Sequence, residues 1–576
     1  MRVEPFLEQL AADALREALD VDAPPILRPT QDPKHGDYQI NGVLPLAKRL
    51  QRKPRDLAEP VAEVLRRHGA LAEVAVAGPG FVNLRLDEGW VGRTLASAHA
   101  DRARDGVPPI AEPETIVIDF SSPNIAKQLH VGHLRTTIIG DALQRILRFV
   151  GHRVIADNHL GDWGTQFGLL IVGMRTLGDE DALRREPIVE LERVYKLASA
   201  RAKEDAAFAE EARAELAKLH RGDPGNRELW AHFVRISRAS LDALYERLGV
   251  HFDEWLAESA YHDMLPGVVD TLLERGLAQE DEGAIVVWFR DIEGAPAKLR
   301  KAEDPYIVRK RDGAFLYSTT DLATLQYRKD KLRADRALYV VDSRQAGHFE
   351  QLFALSDLLG LGLEVEHIGF GLMLGAGGRA LKTRDGDTVK LADLLDEAEE
   401  RAQRKMVEEL GLDPEVAAEL APAVGVGAVK YADLGQNRTS NYTFDWDKLV
   451  AFSGNAGPYL QYAHARCSSI LRRGEVDPAT IDVDALDVGT PAEATLGRRL
   501  LRFPDVVHQA AEQRYPHFIG EHLYALSRDF SSFFEQCPVL KAEGETRSSR
   551  LAFVDLTRRQ LRRGLDLLGI AAPPRM

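Results

Sequence analysis

"TIVIDFSSPNIAKQLHVGHLRTTIIGDALQRIL", residues 115–147, begins as an apolar run and passes into a helical pattern with two histidines at the junction. "TIVIDF" reads as a buried strand, and residues 129–150 read as a helix. "HRVIADNHLGD" supplies a second strand and turn, which gives the βαβ rhythm of a parallel, doubly wound sheet. His130 and His133 are i,i+3 neighbours, so both rings can face one point near the start of that helix. Zinc would need further ligands, and the chain has neither an H-E-x-x-H motif nor a cysteine pair, so no metal site is expected. A packed histidine pair without function and a phosphate site remain open. The phosphate reading has a physical basis: unpaired N–H groups and the positive dipole end gather at a helix start. Gly132 would let a ligand approach the backbone, Pro123 and Asn124 would shape the loop, and two imidazoles could donate to phosphoryl oxygens.

The rest of the chain bounds the choice. At 576 residues it is too long for one core, and about three or four domains are expected. A 45% hydrophobic, 28% charged composition is that of a globular protein, and no apolar stretch is long enough to cross a bilayer. The opening "MRVEPFLEQLAADALREAL" reads as an amphipathic helix, not a leader. Two cysteines, Cys467 and Cys537, give no disulfide framework and suit a reducing cytoplasm. The net charge of −15 argues against nucleic acid unless bases cluster. Arg558, Arg559, Arg562 and Arg563 do cluster, as two i,i+4 columns on a helix, and "ILRRG" and "GRRLLR" add to them. Taken singly, each cluster reads equally well as a solvated helix face.

Along the chain, residues 1 to about 105 mix helical spacing with strand-like pieces such as "AEVAVAG" and "FVNLRL", followed by a proline-bearing linker at 102–114. The α/β pattern starts at 115, is interrupted by a charged helical stretch from 178, and resumes at "RALYVVDSR" and "LEVEHIGFGLML". From about 395 helices are expected to the end. The expected domains are 1–108, small α+β; 109–440, a parallel-sheet α/β domain with a helical insertion around 178–300; and 441–576, all-α.

"HVGH" resembles the HIGH signature of class I aminoacyl-tRNA synthetases, and "SSPNIAKQLHVGHLRTTIIGDAL…LGDWGTQFG" is similar to arginyl-tRNA synthetases in particular. "GDYQINGVLPLAK", "LYSTTDLATLQYR", "YVVDSRQAGHFEQL", "GFGLMLG", "YADLGQNRTSNYTFDWDKLVAFSGNAGPYLQYAHAR" and "LGIAAPPRM" look like the same family in the same order. The resemblance implies a class I Rossmann-like catalytic sheet, an N-terminal domain that contacts tRNA, and a helical anticodon-binding domain. It further implies that L-arginine is activated with ATP and Mg²⁺, that arginine passes to the 2′-hydroxyl of a terminal ribose on tRNA(Arg), and that activation needs bound tRNA. A cytoplasmic monomer is expected.

Carried over residue by residue, the resemblance makes His130, His133, Lys127 and Lys382 the catalytic set. Lys382 matches the first lysine of the KMSKS signature and Thr383 follows it, but Arg384, Asp385 and Gly386 stand where the second lysine would be. Lys127 is placed to supply the missing charge. Gly132, His348, Lys382 and Thr383 would meet ATP, with the backbone of Gly371, Leu372 and Met373 against the adenine. For arginine, a guanidinium fork calls for planar acceptors. Asp321 is the natural bidentate partner, Tyr317 adds a ring or hydroxyl one turn earlier, and Asp119 is a second carboxylate. Ser121, Asn124 and Gln345 would serve the α-amino and carboxyl groups. Tyr459, Tyr462, Arg466, Arg559 and Arg563 are the expected tRNA contacts. A small-molecule nucleotidyltransferase with HxGH is the rival reading, and it leaves the helical C-terminal third without a purpose.

Overall fold

Four strands, β1 (Leu27–Pro29), β2 (Tyr38–Ile40), β3 (Leu71–Ala77) and β4 (Phe81–Leu86), form an antiparallel sheet in the order β1-β2-β4-β3. The computed structural model describes residues 1–30, 32–378 and 389–576. This sheet belongs to the first of two compact units, made of Met1–Ile110, Val407–Gly427 and Ala451–Met576. Its opening helix, Val3–Leu19, buries Val3, Leu7, Ala11, Ala14 and Leu15, the spacing of one helical face. Its C-terminal part is a set of helices that ends with Gly544–Leu567.

The second unit, Ala111–Met406 with Ala428–Val450, holds the parallel sheet. Here β5 (Thr115–Asp119) and β6 (Arg153–Asp157) flank the 134–150 helix. The charged insertion follows, helical as far as Glu274. It then carries an antiparallel sheet of β7 (Gln279–Asp281), β8 (Ala284–Val287) and β9 (Tyr306–Arg309), where only helix was expected before residue 300. Strands of three or four residues are too short to show a period of two. Next come β10 (Arg336–Tyr339) and β11 (Glu364–His367), which complete the all-parallel order β11-β10-β5-β6. Finally β12 (Met373–Leu374) pairs in parallel with β13 (Tyr442–Thr443), a two-residue strand within the region expected to be wholly helical.

Ile116, Val117 and Ile118 are fully buried, as a central parallel strand covered on both faces requires. The chain leaves β5 toward β6 on one side and returns as β10 on the other. The crevice at their carboxyl ends is therefore a topological switch point, where open α/β sheets bind ligands. Register sets Asp157, Asp119, Tyr339 and His367 side by side along that edge. Among the described residues no helix is long and apolar enough to cross a membrane.

Candidate active site

The turn that leaves β5 is strained and tightly held. Ser121, Ser122 and Ala126 have φ values of 69°, 43° and 63°, each costing roughly 1–3 kcal/mol in a non-glycine residue. Hydrogen bonds fix all three: Ser121 N to Thr136 Oγ1 (3.0 Å), Ser122 N to Asn158 Oδ1 (3.1 Å) and Ala126 N to Ser237 Oγ (2.9 Å). The Ser121 hydroxyl is buried at 2.6 Å from Tyr245 Oη and 2.8 Å from Thr137 Oγ1, so the expectation that it meets a substrate is corrected.

At the end of this turn the two histidines organise the backbone. Their ring centroids lie 4.0 Å apart. Gly132 N donates to His130 Nδ1 (3.1 Å), and His130 N donates to His133 Nδ1 (3.2 Å). With both Nδ1 atoms accepting, each neutral ring carries its proton on Nε2 and can donate there. Burial and the nearby Lys127 charge hold His130 below its ordinary value, and burial with His130 takes His133 down to about 4. Both rings are thus neutral donors at neutral pH. The amides expected to cradle phosphate are not free, however. Val131 N donates to Val389 O (3.0 Å), His133 N to His130 O (2.8 Å), and Leu134 N to Val131 O. The glycine also serves its neighbour: a Cβ on Gly132 would sit 2.8 Å from His130 Cε1, so its bareness admits the ring. Lys127 is exposed, with Nζ 4.6 Å from the centre of the Tyr195 ring.

Opposite in sequence but in the same unit, residues 371–374 form an edge braced by residues 438–444. Gly371 N donates to Arg438 O (2.9 Å), Leu372 N to Asn441 Oδ1 (2.6 Å) and Tyr442 N to Leu372 O (3.1 Å). Phe444 N then reaches Leu374 O (2.8 Å), and strand alternation turns the Met373 carbonyl to the other edge. A Cβ on Gly371 would meet Asn441 Oδ1 at 2.6 Å. The Gly371 and Leu372 amides are therefore already used, and Met373 is the member of this trio whose backbone faces away from the brace. Lys382 and Thr383 lie outside the described residues.

The helix Tyr317–Asp330 carries Tyr317 and Asp321, two of the residues expected to meet arginine. Tyr317 is 65% exposed. Asp321 Oδ2 accepts from His348 Nε2 at 2.7 Å, and the His348 ring sits between Tyr306 and Tyr317, 6.2 and 5.4 Å away. His348, expected against ATP, thus joins the Tyr317–Asp321 group. Because it occupies Oδ2, Asp321 presents one open oxygen while that bond stands. Gln345 is exposed just before the 346–358 helix, and the exposed Asn124 lies over Gly161. Asp119 is engaged elsewhere: Arg328 Nη2 lies 2.6 Å from Asp119 Oδ2 and 2.7 Å from Asp157 Oδ2, and Ser122 Oγ donates to Asp119 Oδ1 at 2.6 Å. Burial raises the Asp119 carboxyl, but Arg328, His159 and Ser122 outweigh it and hold the group below its ordinary range. The second acceptor for a substrate guanidinium is consequently matched already by a guanidinium of the chain.

Sequence reasoning missed Arg328 although a signal existed. Tyr317, Asp321, Thr324 and Arg328 are spaced four, three and four, one helical face. Arg135 was missed too, and nothing in its spacing marks it. Among the described residues Asp119, Asp157 and His159 bring possible metal-ligand atoms within 4.8 Å of one another, but Arg328 already bridges the two carboxylates.

In the other unit, the expected RNA contacts divide. Tyr462 is 36% exposed, Tyr459 stands edge-on to Tyr524 at 5.9 Å, and Arg466 lies 4.7 Å over Phe534. Arg559 is only 3% exposed, 3.3 Å from both Asp105 and Asp555, and donates to His99 O at 2.7 Å. It cannot reach a phosphate, and that expectation is corrected. Arg563 Nε lies 3.5 Å from Asp105 with the side chain 23% exposed.

The parallel sheet and the H-x-G-H turn that follows its β5 strand fit the fold of a class I aminoacyl-tRNA synthetase. Residues 98–446 match the family described as class I (R) tRNA synthetases, catalytic domain. Residues 6–86 match the arginyl tRNA synthetase N-terminal domain and 460–576 the DALR anticodon-binding domain. The arginine–tRNA ligase of Alcanivorax borkumensis is 45% identical over 100% of this chain and 99% of its own length; that of Escherichia coli is 44% identical over 99% and 100%. The solved arginyl-tRNA synthetase of Plasmodium falciparum superposes with a TM-score of 0.84 at 27% identity, covering 99% of each chain. That of Thermus thermophilus gives 0.80 at 25%, covering 100% of each. The chain belongs to the arginyl-tRNA synthetase family.

Proposed function

We propose that this chain is an arginine–tRNA ligase, cytoplasmic and monomeric. It activates L-arginine with ATP to arginyl-adenylate and pyrophosphate, then transfers arginine to the 3′ end of tRNA(Arg) and releases AMP. The observation that carries the reading is the bonding of the histidine corner: both Nδ1 atoms accept backbone amides, which leaves each neutral ring its proton on Nε2, in the turn that follows β5.

In the first step the arginine carboxylate attacks the α-phosphorus in line; the new carboxyl–phosphorus bond forms as the bond to pyrophosphate breaks. His130 and His133 donate from Nε2 to oxygens whose charge grows, and being neutral they do so without a proton changing hands. Lys127 and Lys382 add positive charge for the departing pyrophosphate. Mg²⁺ would arrive on the ATP phosphates and supply further charge neutralisation there. Met373, with Gly371 and Leu372, forms the adenine side. Asp321 and Tyr317 receive the substrate guanidinium, with His348 orienting or yielding Asp321, while Asn124 and Gln345 serve the α-amino and carboxyl groups. In the second step the terminal 2′-hydroxyl attacks the activated carbonyl, forming the ester as AMP leaves. Tyr459 and Tyr462 stack on anticodon bases, with Arg466 and Arg563 beside them.

Charging of bulk tRNA with each of the twenty amino acids tests the reading. Arginine alone should support it, and pyrophosphate exchange should vanish when tRNA is omitted. Charging with a different amino acid, or none, would overturn the assignment.

A further inference from the structure

We infer that Arg135 is a positioning residue that holds the nucleotide-facing edge in register with the histidine corner; the inference rests on the reading of residues 371–373 as that edge. Arg135 stands two residues after His133 on the same helix and is 2% exposed. Its Nε lies 2.8 Å from Asp433 Oδ2. Its Nη1 donates to the Ser440 carbonyl and its Nη2 to the Arg438 carbonyl, both at 3.2 Å. The Phe370 and Tyr442 ring centres lie 5.6 and 5.3 Å from the guanidinium carbon. A planar fork matches such a spread of acceptors between two rings, and an ammonium does not.

The groups it holds decide the meaning. The Arg438 carbonyl that accepts from Arg135 also accepts the Gly371 amide, and Asn441 and Tyr442 bond Leu372 on the same strand. Helix, guanidinium, the 438–442 segment and the 371–373 edge are thus one bonded series that starts beside His133. A second tie to the corner uses backbone alone: Val131 N to Val389 O and Leu391 N to Leu129 O, both 3.0 Å. The stretches before residue 379 and after residue 388 are therefore both anchored to the element that carries the histidines. Because the in-line reaction needs the α-phosphorus placed against the histidine donors while the base rests on the edge, the distance between corner and edge must be kept, and Arg135 keeps it. A buried ion pair is a weak source of net stability, which makes register the better account of this one.

The test is tRNA-supported pyrophosphate exchange by the full chain carrying Arg135→Lys, Asp433→Asn, or both. Arg135→Lys should lower kcat about 100-fold and raise the ATP KM while the arginine KM stays within about twofold. The double variant should cost less than the sum of the two single changes, because the two side chains meet each other through both Nε and Nη2 of Arg135. Full activity in Arg135→Lys, or ATP and arginine KM values that rise together, overturns the inference. Where Arg135→Lys does not fold, the nearly isosteric Asp433→Asn carries the same KM comparison. Gly371→Ala separates the two readings. If it leaves the ATP KM unchanged, the edge reading fails and this inference with it. If it raises the ATP KM while neither Arg135→Lys nor Asp433→Asn does, the edge stands and Arg135 is not its keeper.

Discussion

The 317–330 helix and the 544–567 helix present the same sequence pattern, functional-type side chains four residues apart, and put it to opposite uses. On the first, the face runs from Tyr317, 65% exposed, through Asp321 to the fully buried Arg328, so charge is graded from solvent to core. On the second, Arg559 turns inward to Asp105 and Arg558 pairs with Asp555 at 2.6 Å, while Arg563, 3.5 Å from the same Asp105, keeps 23% of its side chain exposed. Periodicity identifies which side chains share a face. It does not reveal whether the chain itself supplies the opposite charge, and that decides between a site and a strut.

The comparison breaks most visibly at Arg559. Arg559→Ala should destabilise the protein by about 3–5 kcal/mol, because it leaves Asp105 and Asp555 buried with less compensation. Thermal unfolding should show the loss while the tRNA KM of folded protein stays put; a weaker tRNA KM at unchanged stability would return Arg559 to the RNA surface. Next in size are two histidines, one in each unit. His133 and His464 both sit near pKa 4, chiefly through burial. The unfolded chain, with imidazoles near 6.5, binds more protons than the folded one between those values, so stability falls as pH drops from about 6.5 to 4. Each contributes at most about 3 kcal/mol. Their tautomers differ: His133 Nδ1 accepts an amide, whereas His464 Nδ1 donates to Pro573 O at 2.9 Å. Ring ¹⁵N shifts at pH 7 should therefore show Nε2–H in one and Nδ1–H in the other, and identical tautomers would contradict the geometry of the corner.

On the exposed face, Asp321→Asn should cost about 100-fold in kcat/KM for arginine and erode discrimination against citrulline. Intact discrimination would move the guanidinium site elsewhere. Smallest is Tyr462→Ala, expected to weaken tRNA binding by roughly 1–2 kcal/mol through lost stacking, with arginine and ATP constants unchanged. A loss of stability without a change in tRNA binding would make Tyr462 a packing residue, as Tyr459 already partly is against Tyr524.

The parallel sheet was legible because β5 and β6 are long enough, and buried enough, to read as apolar runs on either side of a helical stretch. The antiparallel β7–β9 and the two-residue β13 were not, since strands that short leave no period. Within the site, the residue types at 130, 133, 317 and 321 could be read, because their chemistry is local. Their partners could not: Arg328 on Asp119, His348 on Asp321 and Asp105 on Arg559 are pairings across 209, 27 and 454 residues of chain, created only when the fold closes. The histidine turn shows the same limit. Its anion-binding amides are a sound inference for a bare helix start, and they fail here because the His130 side chain and carbonyl and the distant Val389 carbonyl reach those donors first.

The self-bonded corner has a consequence for how ligand arrives. A loop that must be ordered by its nucleotide spends part of the binding free energy on immobilisation. The amides of residues 130–133 are already bonded, to one another and to Val389, so this corner is preorganised and its shape should be indifferent to occupancy. Crystals grown with and without a nonhydrolysable nucleotide should superpose at these four residues to within coordinate error.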